Sequence, residues 1–174
     1  MPEPDMQIHR ATAADAGALS RLSADLFPLG CPANTKPADI ADYINQELTP
    51  ERFLALVDDK DVAILVVKIS DKPAGYALIA RNAPPPHAGI RAEFELRKFY
   101  IATEFHGRGI ANALMNEALA MAKDGGSFWL SVFSGNRRAI SFYERWGFRI
   151  AGTQDFLVGN DPQKDHLMQR EAGR

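Results

Sequence analysis

Two glycines flank an arginine at Gly107-Arg108-Gly109, directly before a run with helical spacing from Ile110 to Ala122. Helix starts favour Ser, Thr, Asp or Asn as caps, and glycine there carries an extra cost in chain entropy. The first amides of a helix have no intrahelical acceptors and carry partial positive charge. Phosphate is the natural ligand of such a site. Without β-carbons at 107 and 109, a diphosphate could approach the backbone of "HGRGIAN" closely, with Arg108 adding a charge. A tight strand-to-helix connector with no ligand stays open on this turn alone. The turn is not a Walker A loop, because no Gly-Lys-Ser/Thr follows, nor a dinucleotide fingerprint, because Asn112 holds the third glycine position.

A second stretch, "NRRAISFYERWGF", begins with Asn136 as an N-cap and ends at Gly147 as a C-cap. Ala139, Phe142, Tyr143 and Trp146 fall at helical spacing and read as a core face. Tyr143 stands apart, because a phenol at the edge of a core needs a hydrogen-bond partner.

Composition narrows the classes. The chain has 174 residues, 46% hydrophobic and 24% charged, which fits one soluble domain over 1–174 with residues 1–5 as a loose tail. A net charge of −2 argues against nucleic acid held on a broad basic face. No apolar run approaches a membrane span, and "MPEPDMQIHR" is not a secretory signal. Cys31 is the single cysteine, and the four histidines (His9, His87, His106, His166) lack metal-ligand spacing, so we expect no disulfide and no metal. A reducing cytoplasm is the expected setting.

The elements that position these residues alternate. "MQIHRAT" reads as a strand, "TAADAGALSRLSADLF" as a helix capped by Thr12, and "ADIADYINQEL" and "PERFLALV" as further helices. "DVAILVVKIS" and "YALIARN" read as a hairpin around "DKPAG", "APPPHAG" as a stiff loop, and "IRAEFELRKFYIAT" as a long strand. After the 110–123 helix come the strand "SFWLSVF", the Asn136 helix, the strand "GFRIAGTQDFLVG" and a last strand "DHLMQR". This is α/β with a mixed sheet of about six or seven strands flanked by helices.

The strand "LRKFYIAT", the turn "HGRGIA" and the helix "NRRAISFYERWGF", in this order, resemble the GNAT superfamily of acyl-CoA-dependent N-acetyltransferases. The resemblance covers residues 95–170, and its element order extends back to residue 7. The family's diphosphate turn is Gln/Arg-x-x-Gly-x-Gly/Ala, and His106 departs from its first position. The resemblance implies a sheet splayed between the strand ending near 102 and the strand 127–133, and acetyl-CoA as co-substrate. It implies that Phe99, Tyr100 and Ile101 pair by backbone with the pantetheine arm. His106, Gly107, Arg108, Gly109, Ile110, Ala111 and Asn112 would form the diphosphate turn. Asn136 would meet the cofactor arm, Tyr143 would sit by the thioester sulfur, and Arg137 and Arg138 are further phosphate candidates.

An amine with a pKa near ~10 must lose a proton before it attacks the thioester. Some relatives place a glutamate for this in the strand before Asn136, where this chain has Ser131. Glu95, with Glu93 on the same face if alternation holds, is the nearer base candidate; His87 and His106 are weaker ones. Amides at a strand irregularity near Ile101 could stabilise the oxyanion, and Tyr143 is the donor to the departing thiolate. Cys31 reads as an ordinary loop cysteine.

The stretch "GTQDFLVGNDPQKDHLMQR" resembles the PaiA-type branch, which acetylates spermidine and spermine, through Phe156, Gly159, Gln163, Asp165 and Met168. That implies a small-molecule polyamine acceptor, for which Asp39, Asp42, Glu47, Glu93, Glu95 and Asp155 are available carboxylates, beside a groove bordered by "APPPHAG". A peptide or protein N-terminal acetyltransferase and a non-catalytic acyl-CoA-binding module stay open. So do a monomer and a homodimer.

Overall fold

The structure, a computed structural model, describes residues 5–122 and 125–173. Its strands are β1 (Met6–Arg10), β2 (Val62–Ile69), β3 (Lys72–Arg81), β4 (Phe94–Ile101), β5 (Phe128–Phe133), β6 (Arg149–Val158) and β7 (Asp161–Arg170). They form a seven-stranded sheet in the order β1-β2-β3-β4-β5-β7-β6. Every neighbouring pair is antiparallel except β4 and β5, which run parallel. The helices are α1 (Ala16–Leu26), α2 (Pro37–Glu47), α3 (Pro50–Asp58), α4 (Ile110–Ala120) and α5 (Arg137–Arg145).

Both faces of the sheet are covered, which is why β2 and β3 read as nearly unbroken apolar runs. On one face Ile110, Leu114, Met115 and Ala118 of α4 pack with Val67, Ala77, Leu96 and Leu130. On the other, Leu19 of α1 and Phe53 of α3 pack with Ile64, Val66, Tyr76 and Leu78. The buried Tyr76 hydroxyl shares a 2.6 Å hydrogen bond with Ser23 of α1, so its burial leaves no polar atom stranded.

Several boundaries differ from the sequence reading. The β2–β3 turn is Ser70-Asp71, both at positive φ (47° and 66°), a tight hairpin geometry that matches strand twist. It draws Lys72–Gly75 into the ladder instead of a five-residue turn. The long strand begins at Phe94, because Ile90 leaves the sheet edge to pack under Trp129 and Leu167. The last strand begins at Asp161. Residues 1–4 of the expected tail and residue 123 of the expected helix lie outside the described residues. Asp5 is not loose, since its carbonyl and carboxylate accept from the Ser70 amide and hydroxyl.

Two irregularities shape the middle of the sheet. β4 pairs with β5 only at Phe94↔Phe128 and Glu95↔Trp129, after which the strands part. The β3–β4 register slips between Leu78↔Lys98 and Ile79↔Leu96, which makes Arg97 an extra residue, a β-bulge. The irregularity is therefore at Arg97, not near Ile101. A bulge reverses alternation: Phe94, Leu96, Phe99 and Ile101 share the α4 face, leaving Glu95, Lys98 and Tyr100 on the face of α1 and α2.

The far end of the sheet is tied to α2. The Asn160 amide, in the β6–β7 turn, donates to Asp39 Oδ1 at 3.1 Å, and Gln163 Nε2 donates to Thr35 Oγ1 at 3.1 Å. Gly159 lies so close that a β-carbon there would stand 2.6 Å from the Asp39 carboxylate.

Close packing also governs the β3–β4 pair beside the bulge. A β-carbon on Gly75 would lie 2.4 Å from the Tyr100 carbonyl oxygen and 3.2 Å from Ile101 Cα, atoms of a paired strand that cannot swing aside. We expect Gly75→Ala to cost about 1–3 kcal/mol and to lower the melting temperature by roughly 2–10 °C. Thermal denaturation checks this; an unchanged midpoint would mean that the strands do not approach so closely.

Candidate active site

Where β4 and β5 part, a cleft of about 1190 Å³ opens through the middle of the molecule. One side is backbone. Past Glu95, β4 has no partner strand on its β5 edge, so peptide groups there are available to a ligand. At the end of β4, Gly107 and Gly109 both take φ +78°, and Gly109 is the N-cap of α4. Nothing lies within 4 Å of a β-carbon built on either glycine. The first intrahelical bond near this end runs from Ala113 N to Gly109 O, leaving the preceding amides to an outside acceptor. The turn thus combines open space, bare amides and a helix N-terminus, which fits a diphosphate group.

The His106 ring folds back, its Nε2 lying 2.9 Å from the Ile101 carbonyl oxygen, and so it supports the turn. The Arg108 guanidinium sits 5.3 Å from the Phe105 ring centroid. Asn112 Oδ1 accepts from Trp146 Nε1 at 3.3 Å, which braces α4 against α5. Asn136 caps α5 by accepting from the Ala139 amide at 3.2 Å. Tyr143 packs against Phe99, Phe142 and Phe148, and its hydroxyl has no hydrogen bond among the described residues. Burial raises its pKa well above the usual phenol value, so it keeps its proton at neutral pH and has one to give.

The opposite side of the cleft carries charge. Both guanidinium contacts of Arg97 fall on Glu95 Oε2, at 2.9 and 2.8 Å, which leaves Oε1 open. The Lys98 ammonium lies 5.8 Å from the ring centroid of Tyr43, which itself stacks on Phe27 at 4.3 Å. Burial lowers the Lys98 pKa to about 8 and raises that of Tyr43 to about 12. On β7, Asp165 Oδ2 accepts from the Ser131 hydroxyl at 2.6 Å, and Gln154 Nε2 donates to the same hydroxyl oxygen at 2.8 Å. Burial raises the Asp165 carboxyl above its ordinary value despite the Ser131 bond. The Cys31 thiol also lines the cleft, pushed up by burial.

The cleft gathers Glu95, Phe99, Tyr100, Ile101, His106, Gly107, Gly109, Ile110, Ala111, Asn112, Asn136 and Tyr143; within the expected diphosphate turn, Arg108 alone stands outside its lining. Arg138 borders it and Arg137 does not. Glu93 does not share the strand face of Glu95, because it precedes β4 and sits beside Gly126. The "APPPHAG" loop does not border the cleft: it covers the outer strands, with His87 against Gly152 and Ala83 O accepting from Trp129 Nε1. Its place is taken by residues 27–31, α2 and β6. Of the carboxylates expected near an acceptor, Glu47 and Glu95 line the cleft and each is paired with an arginine. Asp39 holds the β6–β7 turn and Asp155 pairs with Lys164. Sequence reasoning missed Lys98, and it saw Asp165 only as part of a similarity; the bulge that aims Lys98 has no pattern signal.

The pattern of a known family matches residues 25–148: "Acetyltransferase (GNAT) family". The chain belongs to that family. An uncharacterised N-acetyltransferase of Mycobacterium tuberculosis is 37% identical over 159 residues, covering 90% of this chain and 97% of that protein. The N-alpha-acetyltransferase RimI of the same organism is 30% identical over 100 residues, covering 57% of this chain and 60% of that protein. Among solved structures, the PaiA N-acetyltransferase of Thermoplasma acidophilum in complex with coenzyme A superposes with a TM-score of 0.78 at 18% identity, covering 95% of this chain and 98% of that one. The fold is the GNAT fold. This GNAT protein is an acetyl-CoA-dependent acyltransferase, with acetyl-CoA as its co-substrate. Among the described residues no cluster of His, Cys, Asp and Glu could hold a metal, and no helix is long and apolar enough to cross a membrane.

The Asp165 network makes a stability prediction. Its pKa is raised in the folded chain, so stability is fullest below its unfolded value of 3.8 and declines as pH rises through the folded value. Asp165→Asn removes that penalty and keeps a partner for Ser131. We expect the variant to melt above the parent at pH 7, with the gain shrinking toward pH 4. Thermal denaturation across that range tests it, and no gain at pH 7 would mean that the carboxylate is well solvated.

Proposed function

We propose that the protein moves an acetyl group from acetyl-CoA to a primary amine by direct attack, in a reducing cytoplasm. The observation that carries this is the Tyr143 hydroxyl, without a hydrogen bond among the described residues, lining the same cleft as the open β4 edge and the Gly107–Gly109 turn. When bound, acetyl-CoA supplies an electrophilic thioester carbonyl and a thiol leaving group. The amides of the α4 start and the two glycines hold the diphosphate, with Arg108 adding charge. The backbone of Phe99, Tyr100 and Ile101 pairs with the pantetheine arm, and Asn136 meets it from α5. The amide freed at the Arg97 bulge donates to the developing oxyanion. Glu95 takes the proton from the amine through its open oxygen, and Tyr143 gives one to the departing thiolate.

Two acceptor classes have support. The C-terminal stretch and the PaiA neighbour favour a polyamine. The RimI relative favours a peptide amino terminus. A purely binding role is disfavoured, since it gives the Tyr143 hydroxyl nothing to do.

We expect Tyr143→Phe and Glu95→Gln each to lower kcat by about 10²-fold or more, while the Kd for acetyl-CoA stays within about threefold. Steady-state kinetics with titration calorimetry separates the two; equal turnover in either variant removes that residue from its role. For the turn, Gly109→Ala should weaken acetyl-CoA binding by about tenfold or more. The left-handed backbone resists a side chain by ~1–2 kcal/mol, and the β-carbon would project into the open cradle. Unchanged calorimetry would place the diphosphate elsewhere.

A further inference from the structure

On the acceptor side of the cleft, the pairing of charges leaves one cation without an ionic partner among the described residues. Two acids of this side, Glu95 and Glu47, are engaged by Arg97 at 2.8 Å and by Arg52 at 3.2 Å. Asp165, on β7, is bonded to Ser131 and makes no ion pair with Lys98. Lys98 itself has neither a hydrogen bond nor an ion pair among the described residues; its ammonium has only the Tyr43 ring face at 5.8 Å. A ring face attracts a cation weakly, and an ammonium withdrawn from water without a counter-ion is costly. A lysine that served only packing would extend its head into bulk water, whereas Lys98 is half-buried in the cleft wall, where burial lowers its pKa. Its lowered pKa, about 8, still leaves it charged at pH 7.

We infer that Lys98 binds an acid group carried by the acceptor, which makes the acceptor a small amine that bears a carboxylate. This rests on the acetyl-transfer reading above and sets an acidic acceptor against its polyamine alternative. Because the Arg97 bulge reverses alternation, Glu95 and Lys98 are successive side chains on the acceptor face of β4. One pleat repeat separates them by about 7 Å. An amine that meets Glu95 while its carboxylate meets Lys98 therefore spans several carbons, as in an ω-amino acid. A polyamine of the same length would bring a second ammonium against Lys98, an unfavourable like-charge contact.

Three acceptors with one five-carbon chain isolate the far group: 5-aminopentanoate, pentylamine and 1,5-diaminopentane end in a carboxylate, a methyl and an ammonium-bearing carbon. We expect kcat/KM to fall in that order, with the carboxylate favoured over the methyl by about tenfold or more. Lys98→Met should bring 5-aminopentanoate down to the level of pentylamine and leave pentylamine within about threefold. Lys98→Glu should favour the diamine. Pentanoate, which lacks an amine, should give heat when titrated into the CoA-loaded parent and none with Lys98→Met, so binding is read without turnover. A diamine that equals or beats 5-aminopentanoate in the parent, a preference that survives Lys98→Met, or pentanoate heat that is absent in the parent or unchanged in the variant overturns the inference. Failure to bind acetyl-CoA would instead overturn the proposed function, since the acid preference is read separately from it.

Discussion

Everything in the cleft depends on the early parting of β4 and β5. A parallel pair buried in the middle of a sheet normally continues for the length of its strands, because each lost rung leaves a donor and an acceptor without partners. Here the ladder stops after Glu95↔Trp129. The remaining strands stay ordered because each is held on its other side, β4 by β3 and β5 by β7. The sheet thus tolerates a gap in its centre that no edge strand would offer: a backbone rim, lined on both sides by packed layers, at the end of which the first turn of α4 points its free amides.

The bulge at Arg97 gives that gap its chemistry. Without the extra residue, Lys98 and Tyr100 would face α4 with Phe94 and Leu96, and a charge would enter the main core. With it, Phe99 and Ile101 take those core positions, and the charged residues turn toward α1 and α2. One inserted residue therefore sorts the side chains of the strand into an apolar half and a polar half.

How far the site was legible follows from what each part depends on. Gly107, Gly109, Asn136 and Tyr143 belong to local motifs, where spacing within one turn or helix is enough, and the structure gathers them around one cleft. The mixed sheet and the β2–β3 hairpin were legible, because a short turn between two apolar runs restricts how they pair, whereas the insertion of β7 between β5 and β6 was not. The bulge was not legible, since an extra residue in a strand leaves the apolar pattern nearly unchanged, and so the place of Lys98 on the cleft face was missed. The role of "APPPHAG" was also misjudged: Ile90 and Trp129 pull that segment under the outer strands through contacts between distant residues. Pairing of Glu47 with Arg52, by contrast, is local, joining the end of α2 to the start of α3.

The tie between Asp39 and Asn160 joins positions 121 residues apart in the chain. One side of the cleft lies within one continuous stretch from β4 to α5, whereas the opposite wall is stitched from α2 near the beginning and β6–β7 near the end. Bringing such distant residues together carries a larger loop-closure cost than a local contact does, so this wall is entropically the more demanding side of the cleft to assemble. The two sides are also free to diverge separately: substitutions in α2 or the final hairpin reshape that wall while leaving the β4–α5 stretch intact.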